Sequence, residues 1–141
     1  MYQFSKRSLS NLHGVHPHLV LCAKMALEKQ IMDFSVISGV RTIKKQKRLV
    51  SIGASKTMRS KHLEQNDGYG HAVDLYPYPI DMEEVRNGNW VEVSRFGLLA
   101  GIMLSCAKDL GLNIKWGLDW DQDGETLDHN FHDAPHFEIL I

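Results

Sequence analysis

Cysteine is scarce in this chain: Cys22 and Cys106 are its only two. A pair so far apart could in principle bridge. Both lie in apolar stretches patterned for helices, so two buried reduced thiols is the better reading, and a disulfide framework is excluded. An excess of positive charge is also missing, with 16 Lys and Arg against 17 Asp and Glu. The densest basic cluster, Lys44-Lys45-Gln46-Lys47-Arg48, reads as the solvated face of a helix, and no stripe marks a nucleic-acid partner. Long hydrophobic runs are absent too. The longest uncharged one, Phe96 to Ala107, is too short to span a bilayer and is expected to be a core helix, so no stable membrane insertion is expected. The start, Met1-Tyr2-Gln3-Phe4-Ser5-Lys6-Arg7, has no apolar signal region, which predicts a chain made for the cytoplasm. No repeat, low-complexity tract or linker interrupts it. Residues 1–141 are therefore expected to form a single domain, large enough to bury a core unaided.

What is present is an alternation of helix and strand patterns. Residues 1 to 15 look irregular. Pro17 suits the first turn of a helix whose apolar stripe is Leu19, Val20, Ala23, Ala26 and Leu27. Residues 34–38 read as a strand. Thr42 can cap a second helix, carrying Gln46, Leu49 and Val50 and stopping at Gly53. A loop from 54 to 70 leads to a strand from His71 to Tyr76, closed by Pro77 and Pro79. A long helix from about Trp90 to Leu110 stops at Gly111. Strands at 113–116 and 136–140 flank a polar loop. Three helices and four short strands predict an α+β domain, with helices packed on one small antiparallel sheet.

The chemistry sits in three stretches. Ser60-Lys61-His62 and Gly70-His71-Ala72-Val73-Asp74-Leu75 offer an imidazole and a carboxylate set in an apolar run. Asp133-Ala134-Pro135-His136-Phe137-Glu138 offers a second imidazole, with a carboxylate three residues before it. Two His and one Asp make a three-ligand set for catalytic zinc with an open fourth position. Asp133 is then a candidate general base. An unpaired carboxylate at Asp74 would be costly among apolar neighbours, and coordination to a cation removes that cost. Of the other histidines, His13, His16 and His18 read as surface or capping residues, and His129 and His132 as exposed loop residues.

A second metal is suggested by Asp119-Trp120-Asp121-Gln122-Asp123-Gly124. Alternate carboxylates at Asp119, Asp121 and Asp123 with glycine sixth fit the opening of a calcium loop. Position twelve is Asn130 where Glu is expected, and flanking EF-hand helices are missing. Ca2+ on another geometry, using Asp128, and a plain acidic loop both stay open.

In these stretches the chain resembles the zinc peptidases of the L-alanyl-D-glutamate endopeptidase and D-alanyl-D-alanine carboxypeptidase type, phage endolysins among them. Their pattern is Ser-x-His-x-x-Gly-x-Ala-x-Asp followed by a late Glu or Asp-x-x-His. Gly39-Val40-Arg41-Thr42, Gly53-Ala54-Ser55-Lys56-Thr57 and Trp116-Gly117 extend the similarity in the same order. The resemblance implies the fold shared by Hedgehog and DD-peptidase zinc proteins. It implies Zn2+ held by His62, Asp74 and His136, with Asp133 as catalytic base. It also implies that Arg41 steadies the substrate or the developing oxyanion. The substrate would be the peptidoglycan stem peptide. A monomer is expected, and the missing signal region, not any motif, suggests that a membrane-permeabilising partner gives it access from the host cytoplasm to the wall. No separate cell-wall-binding domain is expected.

One departure stands out. Seven residues separate His62 from Gly70 where the family usually has two, so Glu64 to Tyr69 reads as an insertion. It raises the question whether His71 replaces His62 as ligand. In a strand, His71 and Asp74 point to opposite faces, which favours His62. The motifs do not separate an L-Ala–D-Glu endopeptidase from a D-Ala–D-Ala carboxypeptidase. The missing signal region and second domain suit a phage lysis enzyme, so cleavage at L-Ala–D-Glu is expected, with the carboxypeptidase as the alternative. A non-catalytic wall-binding module would not need Asp133, and an HNH-type nuclease would need different spacing and a basic groove.

Overall fold

The computed structural model describes residues 1–119, 122, 124 and 134–141. Four strands, β1 (Phe34–Ser38), β2 (Ala72–Pro77), β3 (Asn113–Trp116) and β4 (His136–Leu140), form one sheet in the order β1-β2-β4-β3. Every pairing in it is antiparallel. Alternation along the strands decides what each face carries. Phe34, Val36, Val73, Leu75, Ile114, Phe137 and Ile139 point into the main core. Asp74 and Glu138 belong to the opposite set, and the register places Asp74 against His136. Apolar side chains buried on one face hold the sheet, each worth about 2 kcal/mol. The other face carries a small second cluster around Tyr76 and Phe96 and is otherwise left for polar side chains.

The described residues also form five helices: α1 (Lys6–Leu12), α2 (Pro17–Glu28), α3 (Ile43–Ser51), α4 (Met82–Arg86) and α5 (Trp90–Asp109). The α+β class and the four strands stand as expected. α2 and α5 pack on each other and on the core face through Leu19, Cys22, Ala26, Leu99, Met103 and Cys106. By length and composition α5 could cross a membrane, but here it is the central core helix. Cys22 and Cys106 are buried and unbridged. Burial, reinforced by Cys106, pushes the Cys22 thiol up to about 12.

Two helices were not foreseen. α1 is capped by Ser5, whose hydroxyl accepts from the Ser8 amide at 3.1 Å. It buries Ser8 as well as Leu12, and so shows no apolar stripe. Its polar side chains serve β1: the Ser8 hydroxyl accepts from Val36 N–H at 3.0 Å, and Asn11 Nδ2 donates to the Val36 carbonyl at 2.8 Å. α4 is a single turn capped by Asp81, too short for any periodicity to register.

Two close approaches position the functional loops. A Cβ on Gly39, which follows β1, would lie 1.8 Å from the Asn11 carbonyl oxygen. A Cβ on Gly70 would meet Val40 at 2.9 Å and the His62 carbonyl at 3.2 Å. The residues between His62 and Gly70 close as a tight turn, with Gln65 N–H donating to Tyr69 O at 2.8 Å and Gly68 N–H to Gln65 O at 2.9 Å. The insertion therefore loops out and leaves His62 and Gly70 adjacent. We predict that Gly39→Ala costs about 3 kcal/mol, since backbone must move to admit the methyl group. Urea unfolding measures this directly; an unchanged midpoint would mean that α1 yields without cost.

Candidate metal-dependent active site

Asp74 projects from the middle of β2 on the open face of the sheet, and three side chains from three other segments converge on it. His62 Nε2 lies 3.3 Å from Asp74 Oδ1, and His136 Nδ1, across the register on β4, lies 3.5 Å from the same oxygen. Arg41 Nη2 donates to Asp74 Oδ2 at 3.3 Å. His62, Asp74 and His136 each offer a ligating atom, all within 4.8 Å of one another. This is the one such cluster among the described residues.

Each imidazole is held by its other nitrogen. His62 is buried at the end of a turn that Ser60 starts, the Ser60 hydroxyl accepting from His62 N–H at 3.1 Å. Its Nδ1 donates to the Gly39 carbonyl at 2.7 Å. That bond fixes the tautomer and leaves a lone pair on Nε2, which is buried without a hydrogen-bond partner. His136 is turned the other way: Nε2 donates to Glu138 Oε1 at 3.0 Å, so Nδ1 faces Asp74. Metal-binding histidines usually donate their second N–H to a carbonyl or carboxylate in this manner. A lone pair on His62 aimed at a carboxylate oxygen calls for a cation between them. The donor set therefore fits a metal ion.

Charges at the site are strongly coupled. Burial alone would push the Asp74 carboxyl up, but the hydrogen bond with His136 and the close approach of both imidazoles hold it well below the usual range. Burial works against the His136 imidazolium as well. Hydrogen bonds to Asp74 and Glu138, with their charges, overcome this and raise its pKa to about 9. Glu138 is lowered against its own burial by the His136 hydrogen bond, then by the charges of His136, Lys61 and Lys115. Metal binding must displace the His136 Nδ1 proton, so binding is linked to pH.

Arg41 is fixed by a second chain of bonds. Its Nη1 donates to Gln46 Oε1 at 3.3 Å, and the fully buried Gln46 spends its amide on Ser55 Oγ at 2.9 Å and Thr57 O at 2.7 Å. In this structure the guanidinium grips a carboxylate of the cluster. His71, the alternative ligand, is elsewhere: its Nε2 donates to Asp67 in the inserted turn at 2.7 Å, and its ring packs on His16. Asp133, the expected base, lies outside the described residues, as do Asp121 and Asp123 of the expected calcium loop. Of that loop, Asp119 accepts the Gly124 N–H through Oδ2 at 3.0 Å.

Three supporting groups had no assigned role in the sequence reading. Glu138 could have been found by strand alternation, which puts it on the His136 face. Gln46 was visible as a polar residue inside a helical stripe. The Gly39 carbonyl carries no sequence signal.

Comparison with known proteins agrees with this arrangement. A profile of the phage L-alanyl-D-glutamate peptidase family matches residues 1–140. The chain is 28% identical over 147 residues to the L-alanyl-D-glutamate peptidase of Escherichia phage T5, covering 99% of this chain and 98% of that protein. Its structure superposes on the crystal structure of the Serratia marcescens L-Ala D-Glu endopeptidase ChiX with a TM-score of 0.70 and 30% identity. That match covers 98% of this chain and 90% of ChiX. A family profile matched over nearly the whole length, on a fold shared with such an enzyme, leads to one conclusion: this chain belongs to the phage L-alanyl-D-glutamate peptidase family.

Proposed function

We propose that this chain is a zinc-dependent peptidase that hydrolyses the L-Ala–D-Glu bond of peptidoglycan stem peptides. The observation that carries the reading is the unpartnered, buried Nε2 of His62 converging with Asp74 and the Nδ1 of His136. Two imidazoles and one carboxylate leave a coordination position open, as hydrolytic zinc sites require. When bound, zinc supplies Lewis acidity that polarises a carbonyl and acidifies water toward a pKa of about 7.

The chain's own residues supply the rest. The Gly39 carbonyl and Glu138 hold the two imidazoles in fixed tautomers, so the ligating nitrogens are set before substrate arrives. Arg41, braced by Gln46, orients Asp74 and adds positive charge where negative charge develops on the scissile carbonyl oxygen. Asp133 takes the proton of the attacking water and passes it to the leaving amine.

Purified peptidoglycan treated with the enzyme is expected to show new N-terminal D-Glu by mass spectrometry, on stems released from glycan that keeps only L-Ala. Free D-Ala in its place would identify a carboxypeptidase. Metal analysis of single variants tests the ligands: His62→Ala should lose zinc and His71→Ala should keep it, the reverse result transferring the role to His71. Asp133→Asn should keep zinc and lose about 10²–10⁴-fold in rate, the scale of a general base. Glu138→Gln is expected to weaken zinc affinity about 10–100-fold in a chelator competition. An unchanged constant would show that Glu138 does not set the orientation of His136.

A further inference from the structure

Lys61 is a cation beside this site for which the peptidase reading has no role yet. It immediately precedes the buried ligand His62, is itself exposed, and makes no ion pair among the described residues. Its backbone is nonetheless firmly held. The Lys61 carbonyl accepts the His71 N–H at 2.8 Å, Leu63 N–H closes the turn onto Ser60 O at 3.1 Å, and Arg41 N–H donates to His62 O at 2.8 Å. A side chain on so fixed a turn starts from one place beside the metal cluster. The His71 carbonyl in turn accepts the Ile139 N–H at 2.9 Å, which seats Lys61 beside the paired ends of β2 and β4 that carry Glu138. Arg41 differs: both of its terminal nitrogens are bound, to Asp74 and Gln46.

The proposed substrate needs a free cation near the scissile bond. A glutamyl residue has two carboxyl groups. Whichever one continues the peptide, the other remains, so the residue after the cleaved bond carries a negative charge within a few bonds of the leaving amine. No other chemical feature distinguishes it so sharply from a neutral residue. Charge-assisted contacts to carboxylates are the stronger hydrogen bonds, and an ammonium on a flexible stem accommodates a carboxylate without demanding a bidentate geometry.

We propose that Lys61 is the specificity-determining residue that pairs with the free carboxylate of the substrate's glutamyl residue. This inference rests on the peptidase reading above, and the test separates the two. Two synthetic acylated L-Ala–D-Glu peptides are compared, one with the free carboxylate and one with that group converted to a carboxamide. Wild-type enzyme is expected to cleave the carboxylate peptide with a KM about tenfold lower, the scale of one partly solvated charge-assisted contact. The Lys61→Met variant, loaded with zinc to the same content, should lose this preference through KM with a much smaller change in kcat. Lys61→Arg should retain most of it, and added salt should erode it in wild type and not in Lys61→Met. A wild-type enzyme indifferent to the carboxamide, or a Lys61→Met variant that keeps the full preference, overturns the assignment. Failure of wild type to cleave either peptide would instead overturn the L-Ala–D-Glu reading, and this assignment with it.

Discussion

A carboxylate in the middle of a sheet strand is the constraint from which the site follows. Asp74 stands in β2 between Val73 and Leu75, both fully buried. A carboxylate there is expensive unless cations and donors surround it. Arg41 and His136 supply positive charge there, His62 brings its Nε2 to 3.3 Å as a further ligating atom, and each comes from a different segment. The arrangement of the chain reads as a means of delivering them. β4 pairs with β2 so that His136 lies directly across, while the turn at 60–63 docks beside Arg41 through a backbone bond. Removing Arg41 or His136 would take away part of that compensation, and removing His62 a ligating nitrogen, so fold and function share this point.

The supporting bonds show how the molecule pre-orients its ligands. His62 and His136 present different ring nitrogens to the same carboxylate oxygen, and in each the remaining nitrogen is tied to a fixed acceptor. Ring orientations are thus settled without the metal, which reduces the ordering that binding must later supply. Arg41 is settled likewise through Gln46, which joins α3 to the 55–57 segment.

Much of this was legible in the residues, for identifiable reasons. Phe34–Ser38 and Ala72–Pro77 were readable because half-buried strands alternate, and α5 because a long apolar helix cannot hide its pattern. His62, Asp74 and His136 could be named because ligand chemistry restricts residue type and the motif supplied the order. α1 was missed because it turns polar side chains inward, Ser8 and Asn11 being used for hydrogen bonds where a stripe would use leucine. The insertion between His62 and Gly70 obscured the spacing, yet in space it is nearly neutral. A turn closed on itself changes path length without moving its ends, and the entropic cost of a few extra loop residues is small. The Gly39 carbonyl was invisible because every residue has one.

The inward polar face of α1 has a further consequence. β1 ends the sheet, and its outer backbone groups at Val36 and Ile37 would otherwise invite a strand from another molecule. Ser8 and Asn11 already occupy them, so the exposed border behaves as though one more strand had been added. Crowded copies of the chain are thereby denied that row of hydrogen bonds as a route to intermolecular β-stacking.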